Sequence, residues 1–120
     1  MSGTIMFILP WPPSLNHYWG INTKAGTYYI TKKGKAFRAQ TKFICWGVLK
    51  NKEPYTERLS VRVDAYPTDK RDLDNVLKAP LDAMEDAGVY NNDSQIDEIH
   101  IVRKAECPDN PRLEVTIGTI

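Results

Sequence analysis

The sequence has little sulfur and no long apolar run. Its two cysteines, Cys45 and Cys107, form no CxxC pair and lie far apart along the chain, so we expect two reduced thiols rather than a disulfide framework. No apolar stretch approaches the roughly 18 residues that a membrane span requires. Internal repeats and low-complexity tracts are also missing. These absences argue against a membrane protein, a disulfide-rich scaffold and a repeat protein.

The amino-terminal segment MSGTIMFILPWPP has no basic leader and no small-residue cleavage site, and its apolar stretch is too short for a secretory signal. At 120 residues, with ordinary hydrophobic and charged fractions, the sequence predicts one small domain that spans residues 1–120. A core of this size folds cooperatively without covalent cross-links. We therefore expect a cytoplasmic protein that does not bind membranes.

Charge is unevenly distributed along the chain. Residues 1–62 hold ten Lys and Arg against two Glu, a net charge of +8, whereas residues 63–120 hold six against thirteen Asp and Glu, a net charge of −7. A basic half next to an acidic half suits an enzyme that handles a polyanion through metal ions. The alternative is that the two halves mix in the fold and the asymmetry cancels in space.

Hydrophobic periodicity predicts five strands and two helices. They are strands 5–9 and 27–31, a helix from its cap Thr31 to about Leu49, a strand 60–66, a helix over about 75–87 stopped by Gly88, and strands 99–105 and 113–117. Residues 10–26 are predicted to form a long irregular loop, and the turn PDNP is expected to pair the last two strands as an antiparallel hairpin. The order β-β-α-β-α-β-β indicates an α+β domain with a mixed or antiparallel sheet and two main helices.

Two details of the helices follow from residue type. Pro80 removes one helical hydrogen bond, so we expect it to bend the second helix or delay its regular start. The inner face of the first helix is predicted to consist of Phe37, Thr41, Ile44, Cys45 and Val48.

The most specific pattern, RDLDNVLK, lies where a strand passes into a helix. Its aspartates, Asp72 and Asp74, cannot both face the core, because the apolar residues Leu73 and Val76 do. Lys78 lies one helical turn after Asp74 on the same face, and Arg71 adds a second cation. One interpretation is structural, with Asp72 as an N-cap and Asp74 as a first-turn charge that the helix dipole favours. The other is a metal site, since oxygen ligands select Mg²⁺ or Mn²⁺.

Asp93, in the loop after the second helix, is the third candidate ligand. Converging carboxylates repel one another unless a cation lies among them, and such a cation lowers the pKa of a bound water and polarises a phosphodiester. Lys78 would offset charge in the transition state. The helix is roughly 20 Å long at 1.5 Å per residue, so Asp93 lies near its far end. Asp93 therefore either returns along the helix or meets the Asp72–Asp74 pair of a partner subunit.

Basic and aromatic residues are candidates for DNA binding. A basic stripe on the first helix, able to follow a phosphate backbone but equally consistent with a solvated face, consists of Lys32, Lys35, Arg38 and Lys42. Arg71, Asn16 and Trp19 are further candidate DNA contacts, and Tyr18 and Trp19 are of a type that stacks on unpaired bases. Trp11 is better explained as a hydrophobic plug.

The segments LPWPPSLNHYW, TKKGKAFR and RDLDNVLKAPLDAMEDAGVYNNDSQI resemble the RusA family of crossover-junction endodeoxyribonucleases. The match covers nearly the whole chain in the right order. It implies a RusA-like fold in a phage-associated homodimer that uses Mg²⁺, with Mn²⁺ as a substitute. Such an enzyme introduces paired nicks into four-way (Holliday) DNA junctions during recombination and repair, and a two-fold dimer presents one site to each of two strands.

By position, the resemblance makes Asp72, Asp74 and Asp93 the metal-binding catalytic aspartates and Lys78 the catalytic lysine. Arg71 matches a basic residue that commonly precedes the motif. Asn92 stands where the family often has the first acid of an Asp-Asp pair, so a role for that lost carboxylate is in doubt.

Two other functions fit the same residues. A metal-dependent phosphohydrolase acting on small phosphate esters would also use a DxD motif with a lysine, and it would need a confined pocket. A DNA-junction-binding protein without catalysis would use the acidic cluster only to cap a helix. The leading hypothesis remains a metal-dependent endonuclease.

Overall fold

The computed structural model describes residues 3–120. In chain order its elements are β1 (Thr4–Pro10), α1 (Leu15–Tyr18), β2 (Trp19–Asn22), β3 (Thr27–Ile30), α2 (Lys32–Leu49), β4 (Leu59–Tyr66), α3 (Leu73–Asp86), a 3-10 turn (Asp93–Gln95), β5 (Ile96–Arg103) and β6 (Arg112–Thr119). The predicted α+β class with a mixed sheet and two main helices is confirmed. Between Gly3 and Ile120, no helix is both long and apolar enough to cross a bilayer.

Four strands form the main sheet in the order β1-β6-β4-β5. β6 pairs antiparallel with β1 on one side and with β4 on the other, while β5 pairs parallel with β4. The predicted hairpin between the last two strands is therefore wrong, because β4 lies between them. The alternating apolar residues of β6 are fully buried at the centre of the sheet, whereas the more polar β5 lies at an edge.

β4, α3 and β5 form a parallel βαβ unit. A crossover helix must run back across the sheet before the next parallel strand can start. α3 therefore begins beyond the carboxyl end of β4 and ends close to the amino end of β5. This connection decides where the acidic residues of the chain lie.

The two long helices cover one face of the sheet. Strand residues on that face form a fully buried set: Phe7, Leu9, Leu59, Val61, Val63, Ala65, Leu113, Val115 and Ile117. Cys45 and Leu49 of α2 and Val76 and Met84 of α3 complete this core. The alternation predicted for residues 60–66 is thus confirmed. Both cysteines are free thiols, as expected.

α2 begins at its predicted cap, since the Thr31 hydroxyl accepts a hydrogen bond from the Gly34 amide at 3.1 Å. Gly34 is needed because a Cβ there would lie 2.5 Å from the Tyr18 carbonyl oxygen. Four of the five predicted inner residues are buried or half-buried, but Val48 is exposed. Leu49 is buried instead, because it follows the buried Cys45 by four residues and therefore lies on the same helical face.

α3 runs without interruption from Leu73 through Pro80, so the expected delay of its start is wrong. The predicted stop at Gly88 is confirmed by a Schellman motif. The amides of Gly88 (φ 84°) and Val89 donate to the carbonyls of Glu85 and Met84, each at 3.0 Å.

Residues 10–26 are more regular than predicted, because they contain α1 and β2. β2 pairs antiparallel with β3 as a hairpin outside the main sheet. Its four-residue strands are too short for an alternating pattern to stand out. A second buried cluster anchors the base of the hairpin between α2 and α3, and it consists of Tyr18, Phe37, Ala79 and Ala83, with Trp19 and Ile30 packed against it.

Candidate active site

Asp72, Asp74 and Lys78 lie on the first two turns of α3, and all three are exposed. Asp72 occupies the N-cap position, but its side chain makes no capping hydrogen bond, which removes the main support for a purely structural role. Asp74 lies in the first turn, where the helix dipole favours its charge. Within residues 3–120, none of the three forms a salt bridge. Their oxygen and nitrogen atoms are therefore available to ligands.

A clasp of three side chains holds the turn that precedes Asp72. Arg71 donates to both carboxylate oxygens of Asp69, from Nε at 3.0 Å and from Nη2 at 2.6 Å. Trp11 Nε1 donates to the same carboxylate at 3.1 Å, and the Arg71 guanidinium lies 5.2 Å from the centre of the Trp11 ring. Arg71 Nη1 also donates to the Pro12 carbonyl at 2.9 Å. Trp11 thus packs as a plug, as favoured from the sequence.

The clasp is electrostatically strong. The hydrogen bonds from Arg71, followed by the one from Trp11, hold the pKa of Asp69 at about 2, below its ordinary 3.8. Arg103 of β5 donates to the Arg71 carbonyl at 2.8 Å and ties the turn to the sheet. Arg71 is mostly buried in this arrangement, so its observed contacts are structural, and its contact with DNA stays a prediction.

Asp93 lies at the opposite end of α3, as the first residue of the 3-10 turn. Its amide donates to the Glu85 carboxylate at 2.7 Å. The Asn92 side chain caps the turn by accepting from the Ser94 amide at 2.8 Å. Asn is as good a cap as Asp, so the position that is often acidic in the family keeps this structural role.

Buried Gln95 fixes the turn to the rest of the molecule. Its Oε1 accepts from the amides of Asn91 and Asn92, both at 2.9 Å. Its Nε2 donates to the carbonyls of Tyr55 at 2.9 Å and Glu57 at 3.0 Å. Asp93 thus lies on a turn whose hydrogen bonds join it both to the preceding loop and to the segment before β4, although the Asp93 side chain itself is exposed.

The three predicted metal ligands do not gather within one chain. Among residues 3–120, no group of three or more His, Cys, Asp or Glu side chains is close enough to hold a metal ion. The Asp93 amide is hydrogen-bonded to the Glu85 carboxylate. Glu85 lies about 16 Å along the helix axis from Asp74, at 1.5 Å per residue. Metal–oxygen bonds of about 2.1 Å cannot span that separation. Of the two arrangements left open by the sequence, the one within a single chain is not found.

Two of the four basic residues in the α2 stripe pair with carboxylates of α3. Arg38 donates to the Asp82 carboxylate of α3 from Nε at 3.0 Å and Nη2 at 2.8 Å, and Lys42 lies 3.6 Å from Asp86. Tyr18 also donates to Asp82 and is fully buried, so the predicted stacking of Tyr18 on bases is wrong.

Lys32 and Lys35 remain exposed at the first turn of α2. The charge asymmetry of the sequence is partly cancelled in the fold, because further bridges such as Arg58–Asp97 also join its basic half to its acidic half.

Asn16, Trp19 and Lys78, predicted separately, line one groove of about 500 Å³ between α1, the β2–β3 hairpin and α3. α1 is tied to α3 by a hydrogen bond of 3.3 Å from the Leu15 amide to the Asn75 side chain. The groove therefore opens directly beside the residues that follow Asp74.

Comparison with known proteins decides the family. The model of the family described as endodeoxyribonuclease RusA matches residues 10–118. The chain belongs to the RusA family of endodeoxyribonucleases.

Three RusA relatives illustrate the similarity, and all are named crossover junction endodeoxyribonuclease RusA. The protein of Enterobacteria phage HK97 is 39% identical over 85% of this chain and 84% of its own length. The protein of Enterobacteria phage 82 is 34% identical, and that of Escherichia coli strain K12 is 32% identical, each over 95% of this chain and 93% of its own length. Both phage and bacterial proteins are thus among the relatives.

Several residues that build this RusA site were not singled out from the sequence. Asp69, Asn75, Glu85 and Gln95 act through hydrogen bonds to distant segments, and such pairings leave no periodic pattern. Gln95 carried a weak signal, because it stands three residues after Asn92, the spacing of a capping box.

Proposed function

We propose that this RusA-family protein is a Mg²⁺-dependent endonuclease that resolves four-way DNA junctions as a homodimer. The observation that supports this most is the pair of exposed carboxylates, Asp72 and Asp74, one turn from an exposed Lys78 on a chain whose relatives are named as crossover junction endodeoxyribonucleases. Mg²⁺ or Mn²⁺ fits this donor set, since all the candidate ligands are carboxylate oxygens.

Each residue has a part in phosphodiester hydrolysis. Asp72, Asp74 and Asp93 would provide the negative charge that holds a Mg²⁺ ion. That ion, when bound, would polarise the phosphate and lower the pKa of a water. Lys78 lies on the same helical face as Asp74 and stabilises the charge that develops on the phosphate oxygens. The clasp of Asp69, Arg71 and Trp11 keeps the Asp72 backbone in place.

A two-fold dimer brings the separated carboxylates together. A two-fold axis across α3 places the start of one helix against the end of its partner's helix. Asp72 and Asp74 of one subunit then face the position of Asp93 in the other, and the same rotation builds a second site. Two sites related by a two-fold axis suit a junction whose paired strands are also related by nearly two-fold symmetry.

The edge of the sheet beside α3 offers a surface for this contact. Ile99 of β5 is 46% exposed, although its register partner Val61 on β4 is fully buried. A second subunit placed against this edge would cover Ile99 and extend the apolar layer that already covers Val61.

Positive charge at the start of α2 supports the binding of DNA. Lys32 and Lys35 lie in a first turn without acidic residues, a location where the helix dipole disfavours cations. A phosphate backbone would neutralise both lysines, so we expect affinity to fall steeply as salt rises.

The shared site is tested with mixed dimers. A subunit carrying Asp74→Asn is combined with one carrying Asp93→Asn, and nicking of a labelled four-way junction is measured with and without Mg²⁺. In a shared site, one of the two sites regains all its ligands, and single-strand nicking returns. If each chain holds its own complete site, both sites stay inactive.

A matched control uses Asp74→Asn with Asp72→Asn. In the shared site, Asp72 and Asp74 come from the same subunit. Each site of the mixed dimer then lacks one ligand, and nicking should stay absent. Binding of Mn²⁺, followed by electron paramagnetic resonance, should be lost in each single variant and return only in the first mixture. Mn²⁺ binding that is unchanged in all three variants would contradict the proposed ligand set.

A further inference from the structure

The groove beside Lys78 has features that metal binding and phosphate contact do not explain. Its lining consists of Leu15, Asn16, Trp19, Ile21, Tyr28 and Lys78. Lys78 is the charged member of this set, and most of the wall is apolar or aromatic. Ile21 and Tyr28 face each other across the hairpin and are 58% and 73% exposed. These side chains lie in the fold without a covering element.

The floor of the groove is fixed by the fold. The Trp19 ring lies 4.2 Å from the buried Tyr18 ring, centre to centre, and Ile30 packs beneath the same cluster. Tyr18 is held in turn by its hydrogen bonds to Asp82 and Arg38. An aromatic surface fixed in this way loses little conformational entropy when a flat ligand stacks on it.

We infer that this groove binds a nucleobase that has left the stack next to the cleaved phosphate of the junction. A base has apolar faces that match Trp19 and Tyr28, and polar edges that match the exposed amide of Asn16. The phosphate attached to that base would lie toward Lys78, whose charge is complementary to it. A protein partner would use the apolar wall but has no need of the lysine at its end.

The location of the groove supports the same occupant. Lys78 is one helical turn from Asp74, and the bond from Leu15 to Asn75 joins the groove to the carboxylate end of α3. Bases next to a branch point leave the stack at lower cost than those within a duplex. The groove would thus read the nucleotide that flanks the proposed site of hydrolysis, and this inference rests on the proposed nuclease function.

Tyr28 and Tyr29 provide a matched pair for the test. Tyr28 lines the groove, whereas the Tyr29 ring occupies the space beside Gly20 on the opposite face of the hairpin and is 53% exposed. Full-length protein carrying Tyr28→Ala or Tyr29→Ala is titrated with a labelled four-way junction and with a linear duplex, with Mg²⁺ withheld so that cleavage does not compete.

Tyr28→Ala should weaken junction affinity about tenfold, the effect of losing one stacked base, with little change for the duplex. Tyr29→Ala should change neither affinity by more than about twofold. Tyr28→Phe should bind as the unchanged protein does, because the stacking ring remains. Junctions that carry 5-iodouracil next to the branch point should photocrosslink to Trp19 or Tyr28.

Equal effects of Tyr28→Ala and Tyr29→Ala, or crosslinks that map elsewhere, would overturn the inference. So would a Tyr28→Ala protein that sediments as a monomer, because the groove would then be covered by the second subunit. Metal-dependent cleavage by the unchanged protein tests the proposed nuclease function separately from the inference about the groove. If cleavage occurs and the groove tests fail, only this inference is wrong; if cleavage never occurs, the proposed function itself fails.

Discussion

Asp69 lies three residues before the first proposed metal ligand and holds Arg71 with both of its carboxylate oxygens. A bidentate contact of this kind restricts the guanidinium more than a single hydrogen bond would. Because Arg71 directly precedes Asp72 in the sequence, the clasp limits the motion of the Asp72 backbone. Asp69 is thus a positioning residue, which acts on the site through Arg71.

Replacing Asp69 by Asn should destabilise the protein in a pH-dependent way. The folded pKa of about 2 lies below the ordinary 3.8, so the ionised carboxylate stabilises the fold above about pH 4, and this contribution is lost as the pH falls toward 2. Urea unfolding at several pH values should therefore show a gap between the unchanged protein and Asp69→Asn that narrows below pH 4. Asp109→Asn, at an exposed position, serves as the control. A gap of constant size would show that charge is not involved.

At the scale of elements, the sequence predicted most helices and strands but not how two strands are paired. The turn between β5 and β6 contains residues typical of a hairpin, and local turn chemistry does reverse the chain there. Which strand lies beside β6 depends instead on the burial of Leu113, Val115 and Ile117 between two neighbours. Strand order is a property of the whole core, so no local pattern predicted it.

The arrangement of the candidate site also depends on the whole fold, and the sequence left it open. A parallel β4–α3–β5 unit places the two ends of α3 at opposite ends of its strands, which separates Asp74 from Asp93. The predicted helix length already indicated that Asp74 and Asp93 lie far apart, because the two ends of a helix of about 20 Å cannot meet. Local spacing therefore sufficed to propose the candidate residues, whereas their arrangement in space could not be predicted from it.

The 3-10 turn before β5 depends on Gln95, whose side chain makes four hydrogen bonds. Gln95→Ala should lower the free energy of unfolding by about 2 kcal/mol, because buried carbonyls lose their partner. Junction cleavage should fall more than junction binding, since Asp93 is no longer held in place. Ser94→Ala, at an exposed neighbouring position, should leave stability and cleavage nearly unchanged. Unaltered cleavage by Gln95→Ala would show that the turn does not position Asp93.

At the scale of the whole molecule, the two edges of the sheet differ in what lies beside them. β1 exposes two large apolar residues, Met6 at 49% and Ile8 at 54%, and β5 exposes Ile99 at 46%. Only β5 follows the end of α3 that carries Asp93. If the metal site is shared between subunits, the β5 edge must lie at or near the subunit contact, because β5 directly follows the turn that carries Asp93.

This difference gives a prediction for the assembly. Ile99→Asp should convert the proposed dimer into a monomer and reduce junction cleavage by about a hundredfold, because an unpaired carboxylate buried in an interface costs about 3 kcal/mol. Ile8→Asp places the same charge at an exposed position on the other edge strand, and this variant should remain dimeric and active. Analytical ultracentrifugation measures the assembly, and circular dichroism checks that both variants fold. A monomer produced by Ile8→Asp, or a dimeric and active Ile99→Asp, would move the interface away from β5. The shared site would then need a different two-fold axis, because α3 alone cannot bring Asp74 and Asp93 onto one metal ion.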